Sequence, residues 1–262
     1  MFFPRCLLKL FSILVFLVAL PLSASAAPDA GPVKPSLKSL AGIPLSFEQH
    51  DSQNKQAFLS RGMGYQMWLT PDESVIHLQK PTPKDEMLPQ HDRDEGSSAS
   101  QRAQLRMKLL GANPNPAMSG IDKQKAKSNY FIGNDKSKWK TGIENYAQVK
   151  YEKVYPGIDL VYYGNQQKLE YDFLVRPGTD YKTIRMSFSG ADLLTLDEMG
   201  NLILKTPTGD LMQHAPIIYQ EVGGERIPVE GNYVLMADNQ VGFEVAPYDS
   251  RLQETPGELV FH

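Results

Sequence analysis

Residues 129–177 read NYFIGNDKSKWKTGIENYAQVKYEKVYPGIDLVYYGNQQKLEYDFLVRP, and two runs inside this stretch decide the fold class. Ile158 to Tyr163 and Lys168 to Val175 each alternate apolar and polar residues, with Gly164-Asn165-Gln166-Gln167 between them. Period-two alternation marks a half-buried strand, and a short break bearing Gly and Asn between two such runs marks a hairpin. One face carries Ile158, Leu160, Tyr162, Leu169, Tyr171, Phe173 and Val175, a surface suited to a core. A two-residue turn at Asn165-Gln166 pairs Tyr163 with Lys168, Val161 with Glu170 and Asp159 with Asp172. The other face then holds three carboxylates. Glu170 and Asp172 lie about 7 Å apart along one strand. Asp159 lies about 5 Å across from Asp172, which costs energy unless a cation intervenes.

Three chemistries could satisfy that face. Lys150, Lys153, Arg176 or Arg185 on neighbouring strands could neutralise it, leaving it a role in register alone. A hard cation such as Ca²⁺ takes carboxylate and carbonyl oxygens, so Asp159, Glu170 and Asp172 are the candidate metal ligands; no other cofactor is indicated. A catalytic carboxylate pair, as in glycoside hydrolysis, needs a separation of about 5 to 9 Å and an open groove flanked by aromatic rings.

Outward from the hairpin the same grammar continues. Leu45, Phe47, Tyr65 to Leu69 and Val75 to Leu78 read as short strands, as does Leu105-Met107-Leu109 alternating against Arg106 and Lys108. Later period-two segments occur at Ile184 to Phe188, Leu193 to Leu196, Leu202 to Leu204, Ile217 to Gln220, Tyr233 to Leu235 and Val241 to Val245, separated by Gly, Asn and Asp turns. Turn signals about every 8 to 12 residues with few helical patterns predict an all-β, antiparallel sandwich, in one unit or in two sub-sandwiches split near Thr141. Residues 81–104 are charged and serine-rich with little apolar content, and read as a disordered loop.

The N-terminus sets the compartment. Arg5 and Lys9 precede the apolar run Leu10 to Leu22, which leads to Ala24-Ser25-Ala26. This is the pattern of a secretory signal peptide cleaved after Ala26, and its apolar run is too short to span a bilayer. Residues 27–42 read as a flexible leader, 43–249 as the folded domain and 250–262 as a tail. The expected location is periplasmic, cell-surface or extracellular. Losing residues 1–26 removes two of the 27 basic residues and none of the 30 acidic ones, leaving −5, which argues against a nucleic-acid partner. The single cysteine, Cys6, lies in the signal peptide, so the mature chain relies on its core rather than on disulfides.

Catalytic signatures are missing from the sequence. His50, His77, His91, His214 and His262 are scattered without metal-ligand spacing, and no nucleophile elbow, phosphate loop or dinucleotide fingerprint occurs. Lys123, Lys125, Lys127, Lys136, Lys138 and Lys140 crowd around Tyr130, Phe131 and Trp139. They read as a solvated loop, or as a patch for an acidic polysaccharide or lipid head group. Trp139 and Tyr163 could stack on sugar rings, with Lys136 and Lys138 beside Trp139. The leading expectation is a non-catalytic module that binds a surface polymer or a protein partner. The alternatives are a structural or assembly domain and a polysaccharide-active enzyme using the carboxylate face.

Six stretches occur in a characteristic order: Ile43 to Glu48, Arg61-Gly62-Met63-Gly64-Tyr65, Leu110 to Pro114, Asn129 to Asp135, Val154 to Gly164 and Leu169 to Phe173. In these the chain resembles an uncharacterised domain near the N-terminus of large exported bacterial proteins, ahead of seven-bladed β-propeller (SBBP-type) repeats. The similarity spans residues 43–249. It implies bacterial export, an all-β fold and association with surface or extracellular proteins, and carries no catalytic or binding residues with it.

Overall fold

The computed structural model describes residues 14–15, 45–52, 55–62, 64–79, 102–165, 168–248 and 257–261. The strands are β1 (Leu14–Val15), β2 (Phe47–Ser52), β3 (Lys55–Gly62), β4 (Tyr65–Leu69), β5 (Ser74–Gln79), β6 (Arg102–Leu109), β7 (Ala117–Tyr130), β8 (Lys140–Tyr155), β9 (Ile158–Asn165) and β10 (Lys168–Val175). They continue with β11 (Met186–Ser189), β12 (Leu193–Leu196), β13 (Leu202–Thr206), β14 (Gly209–Gln213), β15 (Ile218–Val222), β16 (Glu225–Val229), β17 (Gly231–Met236), β18 (Gln240–Val245) and β19 (Gly257–Phe261). Helix is confined to two single 3₁₀ turns, Lys136–Lys138 and Tyr181–Thr183, among the described residues. Every ladder among them is antiparallel, so the all-β expectation holds.

One large sheet runs β16-β15-β19-β10-β9-β8-β2-β3-β4-β5-β6-β11-β18-β17, with β7 added on β8, and a smaller sheet runs β1-β14-β13-β12. A sheet this long twists and curls, and this one folds over until its distant strands face each other. Phe173 on β10 meets Phe243 on β18 with ring centroids 6.1 Å apart, and the Tyr171 hydroxyl lies 3.2 Å from the Met186 sulfur on β11. Phe47, Phe58, Leu69, Val149, Ile158, Phe173, Met186, Leu202 and Val241 are fully enclosed in the core so formed. The small sheet packs onto the same core through Leu194, Leu204 and Leu211. Gln213 on β14 donates hydrogen bonds to both the Tyr171 and Tyr233 hydroxyls, so the polar tips of two core tyrosines are satisfied from the small sheet.

β8 is the spine. At 16 residues it extends about 50 Å. β7 runs beside it on one edge, while β2 (at Asn145 and Tyr146) and β9 (at Gln148 to Tyr155) share the other. It continues as a strand across Thr141, with a register shift against β7 and Gly142 at φ 72°.

Several expectations need correction. The lysine-rich segment is no loop: Lys123, Lys125 and Lys127 lie on β7, Lys136 and Lys138 in the 3₁₀ turn, and Lys140 opens β8. Alternation on β7 is hidden because the strand lies at a sheet edge and is largely solvated on both faces. The stretch expected as a tail supplies β19, which pairs with β10 on one side and β15 on the other. Arg102, Ala103 and Gln104 belong to β6 rather than to the 81–104 loop. The remainder of that loop, the leader at 27–42 and the signal-peptide residues other than Leu14 and Val15 lie outside the described residues.

Candidate binding surface

The hairpin β9–β10 forms as expected, but two residues out of register. Asn165 pairs with Lys168, Val161 with Asp172, and Asp159 with Leu174. A shift of two preserves the faces, so the core set stays inward while Asp159 is no longer directly opposite Asp172. The three carboxylates divide accordingly. Asp159 Oδ1 accepts from the Lys153 backbone N–H at 2.7 Å, and its Oδ2 lies 3.0 Å from Lys150 Nζ and 3.4 Å from Arg176 Nη2. Lys153 sits at φ 53° where β8 slips register between Tyr151 and Tyr155. Asp159 therefore staples a bulge, holding a left-handed lysine by its backbone and flanking cations.

Glu170 and Asp172 are both buried; Glu170 lines a largely apolar cavity with Tyr162, Tyr171 and Gln213, and Asp172 is not part of that lining, so the two do not form the open carboxylate pair expected of a polysaccharide hydrolase. Tyr163, expected as an exposed stacking ring, is half-buried and donates its hydroxyl to Asp172 Oδ1 at 2.9 Å. Asn165 Nδ2 donates to Glu170 Oε1 at 3.3 Å, while Glu170 Oε2 is enclosed without a hydrogen-bond partner among the described residues. Burial pushes the Glu170 carboxyl up to about 7 against the opposing effects of Asn165 and Lys168. Burial likewise pushes Asp172 up to about 8; the Tyr163 hydrogen bond opposes it, the Glu170 charge adds to it, and Arg226 opposes it more weakly. Among the described residues no group of three or more His, Cys, Asp and Glu side chains is arranged to hold a metal ion.

A second polar constellation was not legible in the sequence. Glu48 on β2 accepts from Ser128 Oγ at 3.0 Å and from the Tyr130 hydroxyl, both on β7, and lies 3.1 Å from His50 Nε2. Arg61 on β3 reaches Glu48 at 3.9 Å and stands over the Tyr130 ring at 5.2 Å. Asn145 Nδ2 donates to Ser128 Oγ at 3.2 Å, and Trp68 meets His50 edge-on at 5.4 Å. Three of the stretches that carry the family resemblance, those holding Glu48, Arg61 and Tyr130, meet at this point. Each oxygen of Glu48 is engaged, so the constellation is a clasp fixing the outer end of β7 to β2 and β3.

Beyond the clasp, residues 131–139 form the hairpin tip. Asp135 caps the 3₁₀ turn, accepting from the Ser137 N–H at 3.0 Å and its hydroxyl at 2.7 Å. Trp139 donates its indole N–H to the Gly133 carbonyl at 3.1 Å and takes the edge of Phe131 at 5.0 Å, with Lys136 Nζ 5.8 Å from its ring centre. The tip is thus ordered by its own contacts, yet Phe131 is 62 % and Ile132 68 % exposed. Residues 117–140 hold six lysines against two aspartates, in a chain whose total is −3. Glu144 engages Lys123 and Lys127, which also guard an edge strand, as lysines commonly do. Lys136, Lys138 and Lys140 stand exposed beside the apolar tip, with Lys138 3.8 Å from Asp135. The structure therefore keeps Trp139, Lys136 and Lys138 together and places Tyr163 elsewhere.

No helix among the described residues is long and apolar enough to cross a membrane. No curated protein and no solved structure matches the chain. Residues 47–253, most of the chain and nearly the whole span over which the resemblance was drawn, match the model of a domain of unknown function, DUF7948, and the protein belongs to that family.

Proposed function

We propose that the chain is an exported, non-catalytic β module that docks through the tip of its long hairpin on a polyanionic surface. The observation that carries this reading is the tip itself: Phe131, Ile132 and Trp139 held out on a two-stranded arm, ringed by Lys136, Lys138 and Lys140, and anchored at its base by Glu48. A rigid exposed apolar cluster with a cationic collar is costly to leave in water and suits recognition. The signal-peptide pattern of residues 1–26 supports export, and the resemblance to domains preceding propeller repeats supports a place at the cell surface. A structural or assembly role is supported at one point, the Asp159 staple, which serves register alone.

The test is retention of the purified protein on immobilised heparin across a salt gradient. The parent protein elutes late, and Lys136→Glu/Lys138→Glu elutes several-fold earlier in salt, because exposed charge pairs are screened. Equal elution of parent and variant at low salt refutes the reading.

A further inference from the structure

Resting on that docking reading, we infer that the surface is an anionic lipid bilayer, into which Phe131 and Ile132 insert while the flanking lysines stay at the head groups. A hydrated polysaccharide gives an aromatic ring a sugar face to stack on, but offers nothing to an isoleucine exposed at the extremity of a loop. A bilayer offers both layers this tip requires, an anionic surface and, a few ångströms below it, an apolar medium.

The order of residues along the arm matches that layering. Tyr130 and Lys140 form the last paired step of the ladder, and Phe131 and Ile132 follow directly beyond it as the most exposed large apolar residues of the arm. Trp139 is half-buried against Phe131 with its N–H engaged, an amphipathic ring of the kind that settles at the membrane interface. Lys136 and Lys138 lie in the short turn beside it. Further back Lys127 and Lys123 are drawn to Glu144, while at the tip Lys138 has Asp135 at 3.8 Å and Lys136 and Lys140 stand exposed, so the tip keeps a net positive charge. The cluster forms in the chain by itself, so insertion spends no ordering entropy on the loop.

The experiment is co-sedimentation of the purified protein with vesicles of phosphatidylglycerol mixed with phosphatidylcholine, and with vesicles of phosphatidylcholine alone, alongside the heparin assay. The protein sediments with the anionic vesicles and much less with the neutral ones. Phe131→Ser/Ile132→Ser, whose altered side chains are exposed and lie outside the buried core, lowers vesicle affinity at least tenfold, a far larger loss than any change in its heparin elution. Lys136→Glu/Lys138→Glu lowers vesicle affinity by well over the about fivefold expected for losing one lysine. Lipids brominated along the chain quench tryptophan emission of the parent, and the quenching disappears in Trp139→Phe. Heparin retention without vesicle binding overturns the bilayer assignment while leaving the docking reading in place. Vesicle binding that is unaffected by Phe131→Ser/Ile132→Ser overturns insertion. Loss of both assays in the parent overturns both.

Discussion

Replacing Glu170 by glutamine tests how the protein tolerates a carboxyl group enclosed beside a second one. Glutamine copies the shape of the protonated acid, keeps an oxygen for Asn165 Nδ2 and carries no charge at any pH. Moving a carboxyl from 4.5 to about 7 corresponds to about 3 kcal/mol between its two protonation states. In that window the folded chain holds a proton that the unfolded chain has lost. Stability therefore falls as pH rises from about 4.5 through about 7, the reverse of a salt-bridged carboxylate. Asp172 works in the same direction between 3.8 and about 8. Urea unfolding of parent and Glu170→Gln at pH 5 and pH 8 reads the effect directly. The two proteins differ little at pH 5, and at pH 8 the variant is more stable by about 2 to 3 kcal/mol. Removing the Glu170 charge also lowers the Asp172 carboxyl, so the remaining decline with pH moves to lower pH in the variant. A variant no more stable than the parent at pH 8 refutes the argument, because the charge would then be compensated in the folded state.

Three other substitutions probe the scaffold. Lys153→Gly relieves a side chain held at φ 53° while keeping the N–H that Asp159 accepts, and raises stability by about 1 kcal/mol in the same urea assay. Tyr130→Phe removes the hydroxyl from the Glu48 clasp at a cost of about 1 to 2 kcal/mol, and hydrogen exchange accelerates in 117–130 more than in 158–175; uniform acceleration contradicts a local clasp. Gly190→Ala places a methyl 1.9 Å from the Gln104 carbonyl oxygen at φ +91°, and lowers stability by about 3 kcal/mol or more; a neutral outcome contradicts the packing of that turn on β6.

Strands with one buried face were legible from the sequence almost to the residue. Tyr65–Leu69 stands as read because its alternation maps onto one wet and one dry face; Lys168–Val175 and Leu193–Leu196 keep the bounds read for them, although the first is buried on both faces. β7 escaped because an edge strand solvated on both sides carries no alternation, and its lysines look like a loop. The hairpin register was missed by two residues, since faces constrain only the parity of a register and the turn residues permitted either choice. For the candidate site, the sequence brought Trp139, Lys136 and Lys138 together through simple proximity. The clasp joins Glu48 to Tyr130 across 82 positions, and contacts at that separation leave no local signature. Burial of Glu170 and Asp172 was equally invisible, because it depends on the flanking strands rather than on the hairpin.

The position of β19 governs the order in which the molecule can assemble. Residues 257–261 join β10 to the β15–β16 hairpin, whose ladders among the described residues reach the rest of the large sheet through β19 alone. Until that segment has been synthesised, the β10 edge at Phe173 to Val175 lacks its partner and 218–229 has no ladder to hold it. Closing a sheet across so many residues is slow, and an open edge in the interval invites pairing with other chains. Completion of the large sheet therefore waits for residues 257–261, and a chain made only up to β18 holds the β10 edge open.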